Sequence, residues 1–338
     1  GDPETEPLAI GGFNTLKKVY KYEPIPAELN AEQAKRVLGS QANLWTEYIP
    51  TAEQAEYMIL PRMPALAEVL WSSKEQRNWE NFNQRLQPHL EGFEQKGLHY
   101  SKGNYKVDIK PIVADNILSI ALETENTDGI IYYTIDGSLP SIGSIKYEKP
   151  FQVTASMTIK AVMTLNNKVM NTKPEEQSFT FNKATGKTVK YDTINSRYYP
   201  ANGANTLTDG FRGTKDIGKQ WHAFNGNDMV ATIDLGTAVS VGSITLGCIQ
   251  NWGQWVFFPQ WVKFEVSVDG VNFKELKTVT NTVPVDARAT QLKDFTANFA
   301  EQKVKVVRVT AKTIGQCPQG HPGEKQAAWL FVDEIMVD

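Results

Sequence analysis

In "QANLWTEYIP", residues 41–50, a tryptophan and a carboxylate stand two positions apart at Trp45 and Glu47, just ahead of a proline and a threonine that can open a helix. An indole ring can stack on the C–H face of a sugar while a carboxylate accepts hydrogen bonds from its hydroxyls. The same spacing also suits a core tryptophan beside a solvated glutamate, so the pair alone leaves both readings open. A second grouping is Asp209 on a loop with Gly210, Gly213 and Thr214. Such an oxygen-rich, glycine-permitted turn can wrap a hard cation, and Glu334 near the C terminus would complete the set; Ca2+ takes roughly six to eight oxygens. The plain alternative is a turn aspartate and a surface glutamate. The third is "QNWGQWVFFPQW", which crowds Trp252, Trp255, Phe257, Phe258 and Trp261 together, with Asn251 and Gln254 among them and His222 and His321 on loops that could converge. So aromatic a loop is a stacking platform for sugar, a surface packed against a neighbouring module, or core.

Composition limits these chemistries. The chain has 338 residues, 41% hydrophobic and 22% charged, with a formal net charge of -3. That is ordinary for a soluble globular protein of two or three domains. No Lys/Arg cluster stands beside stacking aromatics, so nucleic acid is not an expected partner. No apolar run approaches the roughly 18 residues that span a bilayer, and no signal peptide opens the sequence, which predicts a cytosolic chain or a leader lying outside it. The two cysteines, Cys248 and Cys317, are far apart and lack metal-type spacing, so a disulfide and two free thiols both fit. With four histidines and no cysteine partner pattern, zinc is not expected.

Three textures position these groups. Residues 1–100 read as helical. Thr51-Ala52-Glu53-Gln54 and Ser73-Lys74-Glu75-Gln76 have the form of capping boxes, and the second is expected to open a long helix. Its apolar residues Trp79, Phe82, Leu86, Leu90 and Phe93 recur on one face of a 3.6-residue period; Pro88 should kink it and Gly97 should end it. Residues 101–185 read as a small all-β unit, with "IIYYTIDGSLP" a strand running into the turn pair Asp136-Gly137. Residues 186–338 continue as strands of a β-sandwich. There Val262, Phe264, Val266 and Val268 should point inward and Trp261, Lys263 and Glu265 outward.

"KVYKYEPIP", "LGSQANLWTEYI" and "EYMILPRMPALAEVLW" together resemble the C-terminal end of the catalytic barrel of glycoside hydrolase family 20, the β-N-acetylhexosaminidases, over roughly the first 95 residues. "YYTIDGSLPSIGSIKYEKPF" and "TIKAVM" are similar to the immunoglobulin-like module that follows the barrel in bacterial chitobiases. "NTLTDGFRGT", "MVATIDLG", "FPQWVKFEVSVDG" and "FVDEIMVD" resemble the discoidin or coagulation-factor type C fold, a galactose-binding-like jelly roll. The resemblances imply a multidomain, mainly β chain: a partial (β/α)8-barrel segment made of the barrel's last strand, which Trp45 and Glu47 would follow, and helices, then an immunoglobulin-like β-sandwich and a jelly-roll β-sandwich. They imply that Trp45 walls the pocket for a terminal N-acetylhexosamine and that Glu47 binds its outer hydroxyls. Arg62 and Glu68 would be structural, as an ion pair or cap. Asp209, Thr214 and Glu334 would form the fold's Ca2+ site. The implied partners are glycans ending in N-acetylhexosamine and the rest of an upstream barrel, in an extracytoplasmic setting.

The family's mechanism is substrate-assisted and retaining: an Asp orients the substrate acetamide as it attacks the anomeric carbon, and an adjacent Glu protonates the leaving oxygen. No Asp-Glu pair in residues 1–100 fits that role. Asp333-Glu334 is the one such dipeptide, and it belongs to another domain. The expectation is therefore a C-terminal portion of a longer hexosaminidase, inactive alone, or else a binding and scaffolding unit without catalysis.

Overall fold

The structure, a computed structural model, describes residues 6–7, 14–171 and 173–338. The chain divides into two compact units, one of Gly1–Ile109, Leu122–Glu148 and Lys160–Glu176, the other of Lys110–Ala121, Lys149–Ile159 and Gln177–Asp338. Among the described residues no helix is long and apolar enough to cross a membrane.

In the first unit the long helix is Trp79–Gln95, but it opens at Asn78, whose side chain accepts from Asn81 N. Ser73 precedes only the 3-10 turn Lys74–Gln76 and makes no side-chain cap bond, so the expected capping box there is not formed. Asn wins because its amide oxygen reaches the free N–H groups of the first turn as well as a serine does, and it stands directly before the apolar face. At Thr51 half of the expected box forms: its hydroxyl accepts from Gln54 N, while Gln54 Nε2 turns to the Tyr48 carbonyl. The helix runs unbroken through Pro88 and buries Phe82, Leu86 and Leu90 on the predicted face. Gly97, at φ +69°, ends it; Leu98 N donates to Phe93 O and Gly97 N to Glu94 O, the paired bonds of a left-handed C-cap.

The helices Ala52–Ile59 and Arg62–Trp71 precede it. Tyr20 packs 4.7 Å from Phe82 and donates to Glu68 Oε1, and Arg85 holds the other Glu68 oxygen at 2.6 Å. Burial and that carboxylate push the Tyr20 phenol up to about 12. Arg62 pairs instead with the buried Glu6 and with the carbonyls of Asn14 and Met58. Both residues are thus structural, with separate partners.

No strand forms across residues 38–46, where the barrel's last strand was expected. A barrel strand draws its hydrogen bonds from parallel neighbours on both sides, and none of the described residues before Val107 is a strand that could supply them. In the β part of this unit Ile130–Thr134 pairs antiparallel with Met157–Leu165, from Ile130 opposite Thr164 to Thr134 opposite Lys160. The turn after it is closed by Ser138, whose N–H and hydroxyl both donate to Asp136 Oδ1.

The second unit is built on a seven-stranded antiparallel sheet. Its long strands, Met229–Gln250 and Gln291–Lys312, pair along their lengths with register shifts between Asp234 and Val239 and between Val241 and Ser243. Such irregularities bend a strand, and side chains from both halves (Ala231 and Ile233, then Ile244 and Leu246) share one core with Phe264, Phe295 and Ile335. In Trp261–Ser267 the inward set is Val262, Phe264 and Val266, as the alternation requires. Val268 is exposed, because the strand stops at Ser267, where the Asp269 turn begins. Cys248 and Cys317 are buried, unpaired and in separate clusters.

Candidate functional site

Trp45 and Glu47 lie on the irregular segment between Ala34 and Thr51. One turn shapes it: Ile49 N donates to the Thr46 carbonyl at 3.0 Å, and the Tyr48 carbonyl takes Gln54 Nε2 at 2.8 Å, which fastens the segment to the next helix. The Trp45 ring is 66% exposed and Glu47 is exposed beside it. Among the described residues neither makes a hydrogen bond, ion pair or ring contact. An indole face and a carboxylate are therefore held close in sequence on one fastened turn, with their binding capacity unused.

In the second unit Asp209 and Glu334 meet, although most of the jelly roll separates them in sequence. Gly210 N donates to Glu334 Oε1 at 3.2 Å, Phe211 N to Asp209 Oδ1 at 2.8 Å, and Asn202 Nδ2 to Asp209 Oδ2 at 2.8 Å. Gly210 stands at φ +77°, which the turn between the two acids requires and which a β-carbon would strain. Glu334 is fully buried, and among the described residues its Oε2 has no partner. Burial pushes the Asp209 carboxyl up to about 8; burial and the Asp209 charge push Glu334 well above the ordinary range. The adjacent Asp333 differs: Arg212 Nε at 2.9 Å and Gly213 N at 2.8 Å satisfy it. Thr214 is engaged elsewhere, its carbonyl accepting from Trp221 Nε1 and its hydroxyl oxygen from Asp216 N, and no recorded interaction joins it to the two acids.

Tyr191, which the sequence did not single out, belongs to the same neighbourhood. Its buried hydroxyl has no partner among the described residues, and burial with the Asp209 and Glu334 charges raises its phenol. His222 stacks on it at 4.9 Å and is 1% exposed. Neither ring nitrogen finds a partner of acceptable geometry, and burial pushes the imidazole down to about 4. His222 was expected on a loop converging with the aromatic segment; it lies instead in a strand, His222–Asn225, beside this polar cluster, where an external sugar does not reach it. The reason is its parity, which places it on the same strand face as Phe224, inside the core.

The aromatic loop is organised around His321. That ring contacts Trp252 at 4.3 Å, Phe257 at 5.4 Å and Trp255 at 5.9 Å. Its Nδ1 accepts from Gly323 N, so Nε2 carries the proton donated to the Trp252 carbonyl at 2.9 Å. Both nitrogens are thereby consumed, and the expectation that His321 faces a ligand is corrected: it is 5% exposed and braces the loop from within. Phe257 and Phe258 are buried, which is the core-filling alternative realised for two of the five aromatics. Trp252 and Trp255 are half-buried, Asn251 half-buried and Gln254 exposed, so these four remain at the surface. A β-carbon at Gly323 would stand 2.9 Å from the Trp255 ring, so the indole lies directly on that backbone. Sequence reading also missed Arg288, whose guanidinium sits 3.4 Å over the Trp252 ring; nothing local in Ala287-Arg288-Ala289 signals the contact.

Comparison with known proteins gives three successive matches. Residues 1–74 match the catalytic domain of glycosyl hydrolase family 20, residues 115–174 the chitobiase/beta-hexosaminidase C-terminal domain, and residues 188–321 the F5/8 type C domain. A beta-hexosaminidase of Porphyromonas gingivalis is 32% identical over 165 residues, 47% of this chain and 21% of that protein. A beta-N-acetylhexosaminidase of Cellulomonas fimi is 29% identical over 93 residues, 28% of this chain and 18% of that protein. Human beta-hexosaminidase subunit beta is 33% identical over 82 residues, 24% of this chain and 15% of that protein. The chain thus spans about a fifth or less of the length of these curated relatives. Among solved structures, chitosan-binding module 1 of a Paenibacillus chitosanase/glucanase aligns at 19% identity and TM-score 0.31, covering 47% of this chain and 98% of that module. Module 2 of the same enzyme, solved in complex with chitotriose, aligns at 18% identity and TM-score 0.30, covering 46% of this chain and 98% of that module.

Proposed function

We propose that this chain, the C-terminal part of a family 20 glycoside hydrolase, supplies Trp45 and Glu47 to the pocket in which an exo-acting β-N-acetylhexosaminidase holds the terminal sugar. The observation that carries this reading is the fastened turn at Thr46–Ile49, which presents an exposed indole and a carboxylate without partners, inside the stretch that matches the catalytic domain. In that role Trp45 would cover the apolar face of the sugar and exclude water, and Glu47 would accept hydrogen bonds from ring hydroxyls. Neither can protonate a leaving oxygen while orienting an acetamide. Asp333 and Glu334 cannot either, being buried in the other unit, the first of them held by Arg212. The purified chain is therefore expected to show no hydrolysis of aryl N-acetyl-β-glucosaminides. Turnover that Glu47→Gln abolishes would overturn this.

The last module is read as a glycan-docking unit, with Trp255, Asn251 and Gln254 as its surface groups, and the setting as extracytoplasmic, where polymeric glycans are met. A structural Ca2+ fits the Asp209–Glu334 cluster. The support is the Glu334 Oε2, without a partner among the described residues, the burial of the Asp209 and Glu334 carboxyls together, and an all-oxygen donor set. Among the described residues no three His, Cys, Asp or Glu side chains gather as a metal group, so the remaining ligands would be backbone or amide oxygens, which suits Ca2+ and not zinc. The ion would neutralise the pair and tie the first loop of the module to its last strand.

A further inference from the structure

We propose that the aromatic loop of the second unit recognises an anionic sugar, one carrying a carboxylate or a sulfate ester, and that Arg288 is the residue that selects it. This rests on the glycan-docking reading given above and deepens it. The indole face on which a neutral sugar would stack at Trp252 is covered: the Arg288 guanidinium lies 3.4 Å over that ring. What the surface offers a ligand at this point is the guanidinium. Among the described residues Arg288 is exposed and has no hydrogen bond or ion pair, so its N–H donors are free. By contrast Arg62, Arg77, Arg85 and Arg212 are each paired with a carboxylate.

The arrangement is built in advance. Arg288 lies between the strands Lys274–Thr280 and Gln291–Lys312, and its loop is tied to the aromatic loop by Gln250, a side chain 1% exposed. Gln250 Nε2 donates to the carbonyls of Pro284 at 3.1 Å and Ala287 at 3.4 Å, and its Oε1 accepts from Phe258 N at 3.3 Å. One buried amide thus fixes the backbone immediately before Arg288 against the backbone beside the tryptophans. His321 braces Trp252 from within the loop. A planar guanidinium held flat on an indole, with its edge donors open, suits the two-oxygen edge of a carboxylate or sulfate, and the exposed Gln254 and half-buried Asn251 stand by for neighbouring hydroxyls. Little conformational freedom is left to lose on binding, which favours affinity.

The test is calorimetric titration of the full chain at low ionic strength with three probes: N-acetylglucosamine 6-sulfate, a glucuronic-acid disaccharide, and neutral N,N′-diacetylchitobiose. At least one anionic probe should bind roughly ten- to hundredfold more tightly than the neutral one, the range of a charge-assisted pair; which of the two does so assigns the source of the charge. Added salt should weaken the anionic probe alone. R288Q and R288K should both bring the affinity for the anionic probe down to that for chitobiose, since lysine lacks the planar fork. Anionic probes that bind no tighter than chitobiose, or that keep their affinity in R288Q, would overturn the proposal and leave glycan docking standing. No binding of any probe by the unaltered chain would overturn both.

Discussion

Calcium added to EDTA-treated chain should raise the melting temperature by several degrees, and Asp209→Ala or Glu334→Ala should abolish the increment. The cluster sets the size of the effect. Two carboxyls are buried together, and one oxygen has nothing to bond. Burial, and the charge of one acid beside the other, raise both above the ordinary carboxylate range. A raised carboxyl contributes stability that is complete below its unfolded value and is lost as pH rises through its folded one. The EDTA-treated chain should therefore lose stability from about pH 4 upward through about 8, the Asp209 value. With Ca2+ present the ionised pair is the favoured form, and that loss should vanish. An ion that binds only the folded chain adds about 2.7 kcal/mol at a hundredfold excess over its dissociation constant. Thr214→Ala should matter less, since the hydroxyl is spent on Asp216 N. Identical melting curves with calcium and with EDTA across that pH range would remove the ion.

The second large effect follows from the proposed function: in a chain joined to the rest of the proposed barrel, Glu47→Gln is expected to lower kcat/KM at least tenfold. Hydrogen bonds to a charged acceptor are worth about 1.5–3 kcal/mol each, and an amide keeps the shape while losing the charge. Among the described residues Glu47 forms no internal bond that the substitution could break, so stability should be unchanged and the loss should be kinetic. Wild-type kinetics in Glu47→Gln would return the residue to the solvated surface.

Most of the element types were legible because they rest on local periodicity. The face Phe82, Leu86 and Leu90, the glycine C-cap at Gly97 and the inward set Val262, Phe264 and Val266 need only neighbours within a few residues. Boundaries failed where two signals competed, as when Asn78 took the helix start from Ser73, or where a turn cut a pattern short, as at Val268. The strand expected before Trp45 was illegible because strands are made by partners, and periodicity within one segment does not say whether partners exist. The site shows the same division. Asp209 and Glu334 could be joined through the resemblance to a known fold. Histidines offered from their type alone were misplaced: His222 and His321 are both inside, one stacked on Tyr191 and one spanning Trp252 and Gly323. Arg288 stayed hidden because its meaning comes entirely from a stack across the sheet's end.

The most direct measurement of the central claim is a crystal structure of the full-length enzyme holding N-acetylglucosamine in its catalytic pocket. The Trp45 ring should lie about 4 Å from the apolar face of the sugar, and a Glu47 oxygen about 2.7 Å from a ring hydroxyl. A sugar bound with Trp45 packed away into protein core and Glu47 facing bulk water would contradict the account.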